Sequence, residues 1–260
     1  MEEKFKEDLG INPVIRSVDT TLYLYLPVEK NILAIERASD MGGGKKKSDK
    51  KDDKRDKNFT HTTCSYKDGY FDVGYATAEL PAEKQFFDNI TYNYTNQANT
   101  IIQKVYNLIS DVLTERPNHY TFFRVVIADV KEGIEMTMTF NELDLRKEYS
   151  GAIPYYEFSR RVVTTVSGNV EVTKDYRGKH LEFKPVELPE FISDLVVQYL
   201  KSGEDLKKAP DTETAVIKRF YDVATMYDYK EFLFLRTEDV TMRKEQLYSY
   251  DQLVEKFGQK

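Results

Sequence analysis

The chain has 260 residues, 40% of them hydrophobic, and is long enough for one large domain or two small ones with a hydrophobic core. Its formal net charge is -6, and no stretch approaches the ~18 consecutive apolar residues that a membrane span needs. The single cysteine, Cys64, excludes an intramolecular disulfide and a cysteine-rich zinc site, so we expect it to fill a strand as a small apolar side chain.

The first strand signal lies at residues 17–28, where leucines and tyrosines alternate between Leu22 and Leu26. A period of two places the leucines on one face of a strand and the tyrosines on the other. The next segment, residues 31–37, fits either a strand or one helical turn.

Three pairs of strand-like segments are predicted to form β-hairpins. One turn is Asp68-Gly69, because glycine tolerates the positive φ that tight hairpin turns need. The other two turns are predicted at residues 131–133 and 167–168, and each contains a glycine. One more strand is predicted at residues 231–236.

Helices are predicted where apolar residues recur at helical spacing. The longest such segment is residues 99–113, and a second, residues 188–200, has a proline near its first turn. Asp211 is placed to cap a third helix. Ser249 followed by Gln252 matches a capping box at the start of a fourth.

Strands paired by hairpins and interrupted by helices predict an α+β fold. We expect an antiparallel sheet built from hairpins, with the long helix packed on it and a helical C-terminal third. The composition changes near residue 186, so we expect a sheet-and-helix domain at residues 1–186 and a helical subdomain at residues 187–260. No internal repeat of useful period is visible in the sequence.

A charged run interrupts the predicted sheet. It holds eight basic residues: Lys45, Lys46, Lys47, Lys50, Lys51, Lys54, Arg55 and Lys57. Gly44-Lys45 is followed by lysine where a phosphate-binding P-loop needs serine or threonine. The composition predicts a disordered loop at residues 42–57. If this loop binds anything, an acidic protein or an anionic membrane surface fits its charge. Four interleaved aspartates and the lack of stacking aromatics argue against sequence-specific nucleic-acid binding.

Catalytic motifs are not found in the sequence. The candidates for acid–base chemistry are His119 and His180, with Asp129 or Asp175 as the neighbouring carboxylate. Charged side chains are also common at hairpin tips and strand ends, so a structural role competes with this one. With three histidines and one cysteine, no metal-ligand set is visible, and we expect no metal site and no cofactor.

Three stretches together resemble bacterial proteins that have no established activity and are predicted to be envelope lipoproteins. They are TTLYLYLPVEKNILAIE at residues 20–36, VVIADVKEGIEMTMTFNELDL at 125–145 and GKHLEFKPVELPEFISDLVVQYL at 178–200. The resemblance implies a domain tethered by lipid on the periplasmic face of the cell envelope. This chain begins with Met1 and has no lipobox, so this location requires that an upstream signal was removed. The alternative is a cytoplasmic protein.

The sequence therefore predicts a non-enzymatic binding or structural module that is associated with the bacterial cell envelope. Two alternatives stay open. One is an enzyme that uses a histidine–carboxylate pair, and the other is a cytosolic adaptor that docks through its basic loop.

Overall fold

The computed structural model of the protein describes residues 2–36, 56–80, 91–115, 119–174 and 177–258. The chain divides into two compact units. Unit 1 comprises residues 1–41 and 90–186, and unit 2 comprises residues 42–89 and 187–260. Both contain helices and mostly antiparallel strands, so the predicted α+β class is confirmed.

The secondary-structure elements are named in chain order. They are α1 (Glu2–Leu9), β1 (Val14–Val18), β2 (Thr21–Val28), β3 (Leu33–Glu36), β4 (Asp56–Lys67), β5 (Tyr70–Leu80), β6 (Thr91–Tyr94), α2 (Asn96–Glu115), β7 (Phe122–Asp129), β8 (Ile134–Asn141), α3 (Glu142–Tyr149), α4 (Tyr155–Arg160), β9 (Val163–Gly168), α5 (Leu188–Lys201), α6 (Thr212–Met226), β10 (Phe234–Asp239), β11 (Lys244–Tyr248) and α7 (Tyr250–Phe257). Two short 3-10 turns lie at Val170–Thr173 and Asp205–Lys207.

Unit 1 is built on a five-stranded sheet with the order β1-β2-β7-β8-β9. Neighbouring strands are antiparallel except β2 and β7, which run parallel with Thr21 beside Phe122 and Val28 beside Asp129. The leucines of β2 share one buried core with the apolar face of α2, as the periodicity predicted. Strands β3 and β6 form a separate antiparallel pair.

The second face of the unit 1 sheet carries the tyrosines of β2, and residues 177–186 pass over it. The ring of Tyr23 lies 5.2 Å from that of Phe183 in an edge-to-face contact. Tyr25 makes the same kind of contact with His180, at 5.8 Å. Both tyrosines are almost fully buried, so the alternation in β2 separates two buried faces.

Unit 2 is built on a four-stranded sheet with the order β11-β10-β5-β4. Strands β5 and β10 run parallel, and the two outer pairs are antiparallel. Helix α5 packs against β4, and α6 packs against α5 and β10. As predicted, Asp211 caps α6 by accepting the Thr214 N–H, and Ser249 with Gln252 forms a capping box on α7.

The two units repeat one topology. In each, a hairpin, a crossover and a second hairpin give four strands whose two central members are parallel, and a helix follows the last strand. The hairpins β1–β2 and β7–β8 of unit 1 correspond to β4–β5 and β10–β11 of unit 2. The repeat was not visible in the sequence, because the first hairpin of unit 2 is inserted into the crossover of unit 1.

The turns confirm this correspondence at the atomic level. The Asp129 carboxylate accepts the N–H groups of residues 131 and 132, and the Asp239 carboxylate accepts those of residues 241 and 242. The next residue has a positive φ in both turns, +66° at Gly133 and +54° at Arg243. Each turn also donates one backbone hydrogen bond to the neighbouring parallel strand. Val130 donates to the Val28 carbonyl and Val240 to the Tyr75 carbonyl, both at 3.0 Å.

Two of the three predicted hairpins are confirmed, with turns at Asp68-Gly69 and at residues 130–133. The third is wrong. Residues 163–168 form β9, which pairs with β8, whereas residues 170–173 form a 3-10 turn. The side chain of Asn169 accepts the Glu171 N–H at 3.0 Å, and this local cap favours a turn over a second strand.

The units differ from the expected domains in one respect. The chain divides between residues 186 and 187, but the hairpin β4–β5 belongs to unit 2, because β5 pairs with β10. The C-terminal third is therefore not only helical. The strand predicted at residues 231–236 corresponds to β10, and β11 pairs with it.

Candidate functional site

Two of the predicted catalytic residues, His119 and Asp129, lie far apart. His119 precedes β7 and Asp129 ends it, so roughly 25 Å of strand separates them. His119 is exposed, and its ring lies 4.5 Å from that of Tyr120. Asp175 lies outside the described residues.

Asp129 has a structural role in the β7–β8 turn. Asp129 is 1% exposed, and its Oδ1 accepts two backbone N–H groups at 3.0 and 3.1 Å. Asp239 does the same in unit 2, so both aspartates stabilise the turn that follows a central strand.

His180 has a carboxylate partner, but it is Glu135 rather than a predicted one. The distance from His180 Nε2 to Glu135 Oε1 is 2.6 Å, and Asn169 donates to the other carboxylate oxygen at 3.0 Å. The Glu135 side chain is buried and that of His180 is largely so, with exposures of 8% and 13%. Glu135 lies on the same face of the sheet as Tyr25. Polar and apolar residues alternate along β8, and this alternation is the sequence pattern that places Glu135 on that face.

Most of the predicted partner-binding loop lies outside the described residues. Residues 37–55 lie outside the described residues, and with them Lys45, Lys46, Lys47, Lys50, Lys51, Lys54 and Arg55. Lys57 is described, and it lies in β4 rather than in a loop. Its ammonium group donates a hydrogen bond to the Thr212 hydroxyl at 2.5 Å, so it links β4 to the start of α6 within unit 2.

Cys64 lies in β4, and burial raises the pKa of its thiol to about 12. The thiolate is therefore scarce at neutral pH, which supports a structural role. Within the described ranges, no group of three or more His, Cys, Asp or Glu side chains is placed to hold a metal ion. The helices of those ranges include none that is both long and apolar enough to cross a bilayer.

A cavity of about 1240 Å³ opens in unit 1 and brings basic residues together. We call it the cationic cavity. Its charged lining residues are the basic Arg16, Lys30, Lys104, Arg177 and Lys179 and the acidic Asp8 and Glu29. The lining has three more positive than negative charges, whereas the whole chain has a net charge of -6.

Several elements bring these cations to one place. Arg16 projects from β1, and its guanidinium lies 4.8 Å from the centre of the Phe183 ring. Lys104 projects from α2 and donates to the backbone carbonyl of Asp8 at 2.5 Å.

The segment that carries Arg177 and Lys179 approaches the sheet closely through the glycine between them. Gly178 has a φ of +63°, and an added Cβ would lie 3.0 Å from the Tyr25 ring. A side chain at residue 178 would therefore strain the backbone and meet the ring. The two flanking cations reach the cavity because this position is glycine.

The cavity also has a meaningful place in the fold. Val28 and Val130 line it. Val28 is the last residue of β2, Val130 comes directly after β7, and the Val130 N–H donates to the Val28 carbonyl. In open α/β sheets, ligands bind outside the carboxyl ends of parallel strands, and the cavity lies at the equivalent end of the parallel pair in this mixed sheet. No family model, curated protein or solved structure matches this chain.

Proposed function

We propose that the protein is a non-enzymatic binding module, and that the cationic cavity holds a small ligand with several negative charges. The observation that carries this proposal is the convergence of five basic side chains on one concave site in an acidic chain. Concave sites favour small ligands over flat partner surfaces.

Binding is favoured over catalysis by the chemistry of the lining. Among the described residues that line the cavity, none is His, Cys, Ser or Tyr. These are the side chains that most often act as nucleophile or as general acid or base alongside carboxylates. Lysine and arginine instead give charge-assisted hydrogen bonds to phosphate or carboxylate groups.

Inorganic tripolyphosphate, titrated calorimetrically at low ionic strength, is the probe for this site. The double variant Arg177→Gln/Lys179→Gln is expected to bind it at least about tenfold more weakly than the unchanged chain, because two charge-assisted contacts are lost. Glutamine is uncharged, polar and unbranched, and both positions are exposed, so the fold is expected to be retained.

The matched control is Lys131→Gln/Lys201→Gln, which removes the same charge from two exposed residues outside the cavity lining. We expect this control to bind tripolyphosphate like the unchanged chain. Equal weakening in both double variants would mean that the net charge, and not the cavity, attracts the anion, and the proposal would then be rejected.

The proposed location is the cell envelope, and it rests on the resemblance of residues 20–36, 125–145 and 178–200 to envelope lipoproteins. The measurement is fractionation of native cells followed by the intact mass of the recovered protein. A lipid-modified product in the membrane fraction is expected. An unmodified product in the soluble cytoplasmic fraction would contradict the location but leave the binding proposal intact.

A further inference from the structure

The repeat places a second cavity in unit 2 at the position of the cationic cavity in unit 1. This second cavity has a volume of about 720 Å³. Tyr75, which corresponds to Val28, lines it together with Asp239 and Thr241 from the β10–β11 turn. Both cavities therefore lie where the parallel pairing of their unit ends, at Val28 beside Asp129 and at Tyr75 beside Asp239, although β5 itself continues to Leu80.

The charges of the second cavity are balanced. Three lysines, Lys57, Lys244 and Lys256, face three carboxylates in its lining, Asp211, Glu213 and Asp239. Hydroxyl groups of threonine and tyrosine supply much of the remaining lining. The ligand that suits this cavity therefore differs in charge from the multivalent anion proposed for unit 1.

Hydrogen bonds within unit 2 already engage two of the three carboxylates through backbone groups. Asp211 accepts the N–H of Thr214 at 2.7 Å and its hydroxyl at 2.8 Å. The N–H bond from Thr214 is the main reason that the pKa of Asp211 is lowered. Asp239 accepts two N–H groups of its own turn, each at 3.0 Å.

Glu213 is engaged at both of its oxygens. Tyr248 donates to Oε1 at 2.5 Å, while Lys244 and Gln246 donate to Oε2 at 3.1 and 3.4 Å. Burial raises the pKa of Tyr75 to about 12, and burial followed by the bond to Glu213 raises that of Tyr248. Both phenols therefore carry their protons at neutral pH.

Within the described part of the chain, the lysines of this lining keep donor groups that no partner uses. Each ammonium group has three N–H donors. The Lys57 ammonium gives one to Thr212, and Lys244 gives one to Glu213. Lys256 is exposed and lies 5.8 Å from the centre of the Tyr248 ring. The cavity therefore offers spare donors without an excess of positive charge, a combination that suits an acceptor-rich ligand with a single negative charge.

From this geometry we infer that unit 2 carries a second ligand site, and that its ligand is a hydroxylated monocarboxylate of the sugar-acid class. The carboxylate takes the spare lysine donors, and the hydroxyls pair with the Thr77, Thr241 and Tyr75 side chains of the lining. The inference rests on the repeat and on the second cavity, so it does not depend on the function proposed for unit 1.

The probe is glucuronate, compared with glucose, which lacks the charge, and with acetate, which lacks the hydroxyls. Calorimetry on the full chain is expected to show saturable glucuronate binding and at least about tenfold weaker binding of both comparators. Lys256→Gln is expected to weaken glucuronate binding by about tenfold, the loss of one charge-assisted contact. Amide chemical shifts are expected to change at residues 211–214 and 239–243.

Two variants keep this test independent of the first proposal. Arg177→Gln/Lys179→Gln in unit 1 is expected to leave glucuronate binding unchanged, and Lys201→Gln is the matched control for Lys256→Gln. The inference is overturned if glucuronate gives no saturable binding, if glucose or acetate binds as well, or if Lys256→Gln has no effect. It is equally overturned if the shift changes map to unit 1.

Discussion

Phe71→Ala is expected to lower the free energy of unfolding of unit 2 by about 3–5 kcal/mol, the range found when a buried aromatic ring is removed. Phe71 is fully buried in the central strand β5. Its ring centre lies 4.8 Å from those of Tyr66 and Phe220 and 5.7 Å from that of Phe232. Residues from β4, α6 and the segment before β10 meet on this ring, so its loss leaves a cavity between three parts of the unit.

Hydrogen exchange of the β5 and β10 amides under native conditions reports on unit 2 specifically, which a single global unfolding curve does not. The matched control is Tyr70→Ala on the neighbouring residue. Tyr70 is 38% exposed and stacks on Phe234 at 5.9 Å, so we expect a loss of about 1 kcal/mol. Similar losses for the two variants would show that the ring of Phe71 is not the centre of the core.

Local signals in the sequence predicted local structure well. The caps at Asp211 and Ser249 could be predicted because a cap depends on residues three positions apart. The turn at Asp68-Gly69 was legible for the same reason. The turn predicted at residues 167–168 was wrong because β9 pairs with β8 and not with the residues that follow it. The sequence near residue 168 does not indicate this pairing.

The repeat could not be predicted, because its evidence is not local. The parallel pairs join β2 to β7 and β5 to β10, strands that lie far apart in the chain. The corresponding turns, residues 129–134 and 239–244, share only their first two residues, Asp-Val. Their common geometry comes from backbone hydrogen bonds to that aspartate, which many sequences can satisfy.

The candidate site escaped prediction for a related reason. The continuous run of charged residues at 45–57 predicted a binding loop there. The cationic cavity instead brings together Arg16, Lys104 and Arg177 from separate segments. Arg16 and Lys104 have mainly polar and apolar neighbours in the sequence, and Arg177 lies in a separate short charged stretch at residues 174–180. Only the strand order brings them together.

His180→Leu is expected to lower the free energy of unfolding by about 3 kcal/mol, because it removes one partner of a buried pair. The Glu135 carboxylate would keep its bond from Asn169 but lose the contact that His180 makes at 2.6 Å. The double variant Glu135→Leu/His180→Leu is expected to recover most of this loss, since no buried carboxylate then remains. The measurement is a double-mutant cycle, in which urea unfolding is recorded for the unchanged chain, both single variants and the double variant.

The same variants separate stability from binding. His180 holds, against Tyr25 and Glu135, the segment that supplies Arg177 and Lys179 to the cationic cavity. Tripolyphosphate binding is therefore expected to be weakened in His180→Leu and to stay weakened in the double variant, although the double variant regains stability. If binding instead returned together with stability, the histidine would act only through the fold. If stability were lost additively in the double variant, the carboxylate and the ring would be independent contributors, and the anchoring role assigned to the pair would be wrong.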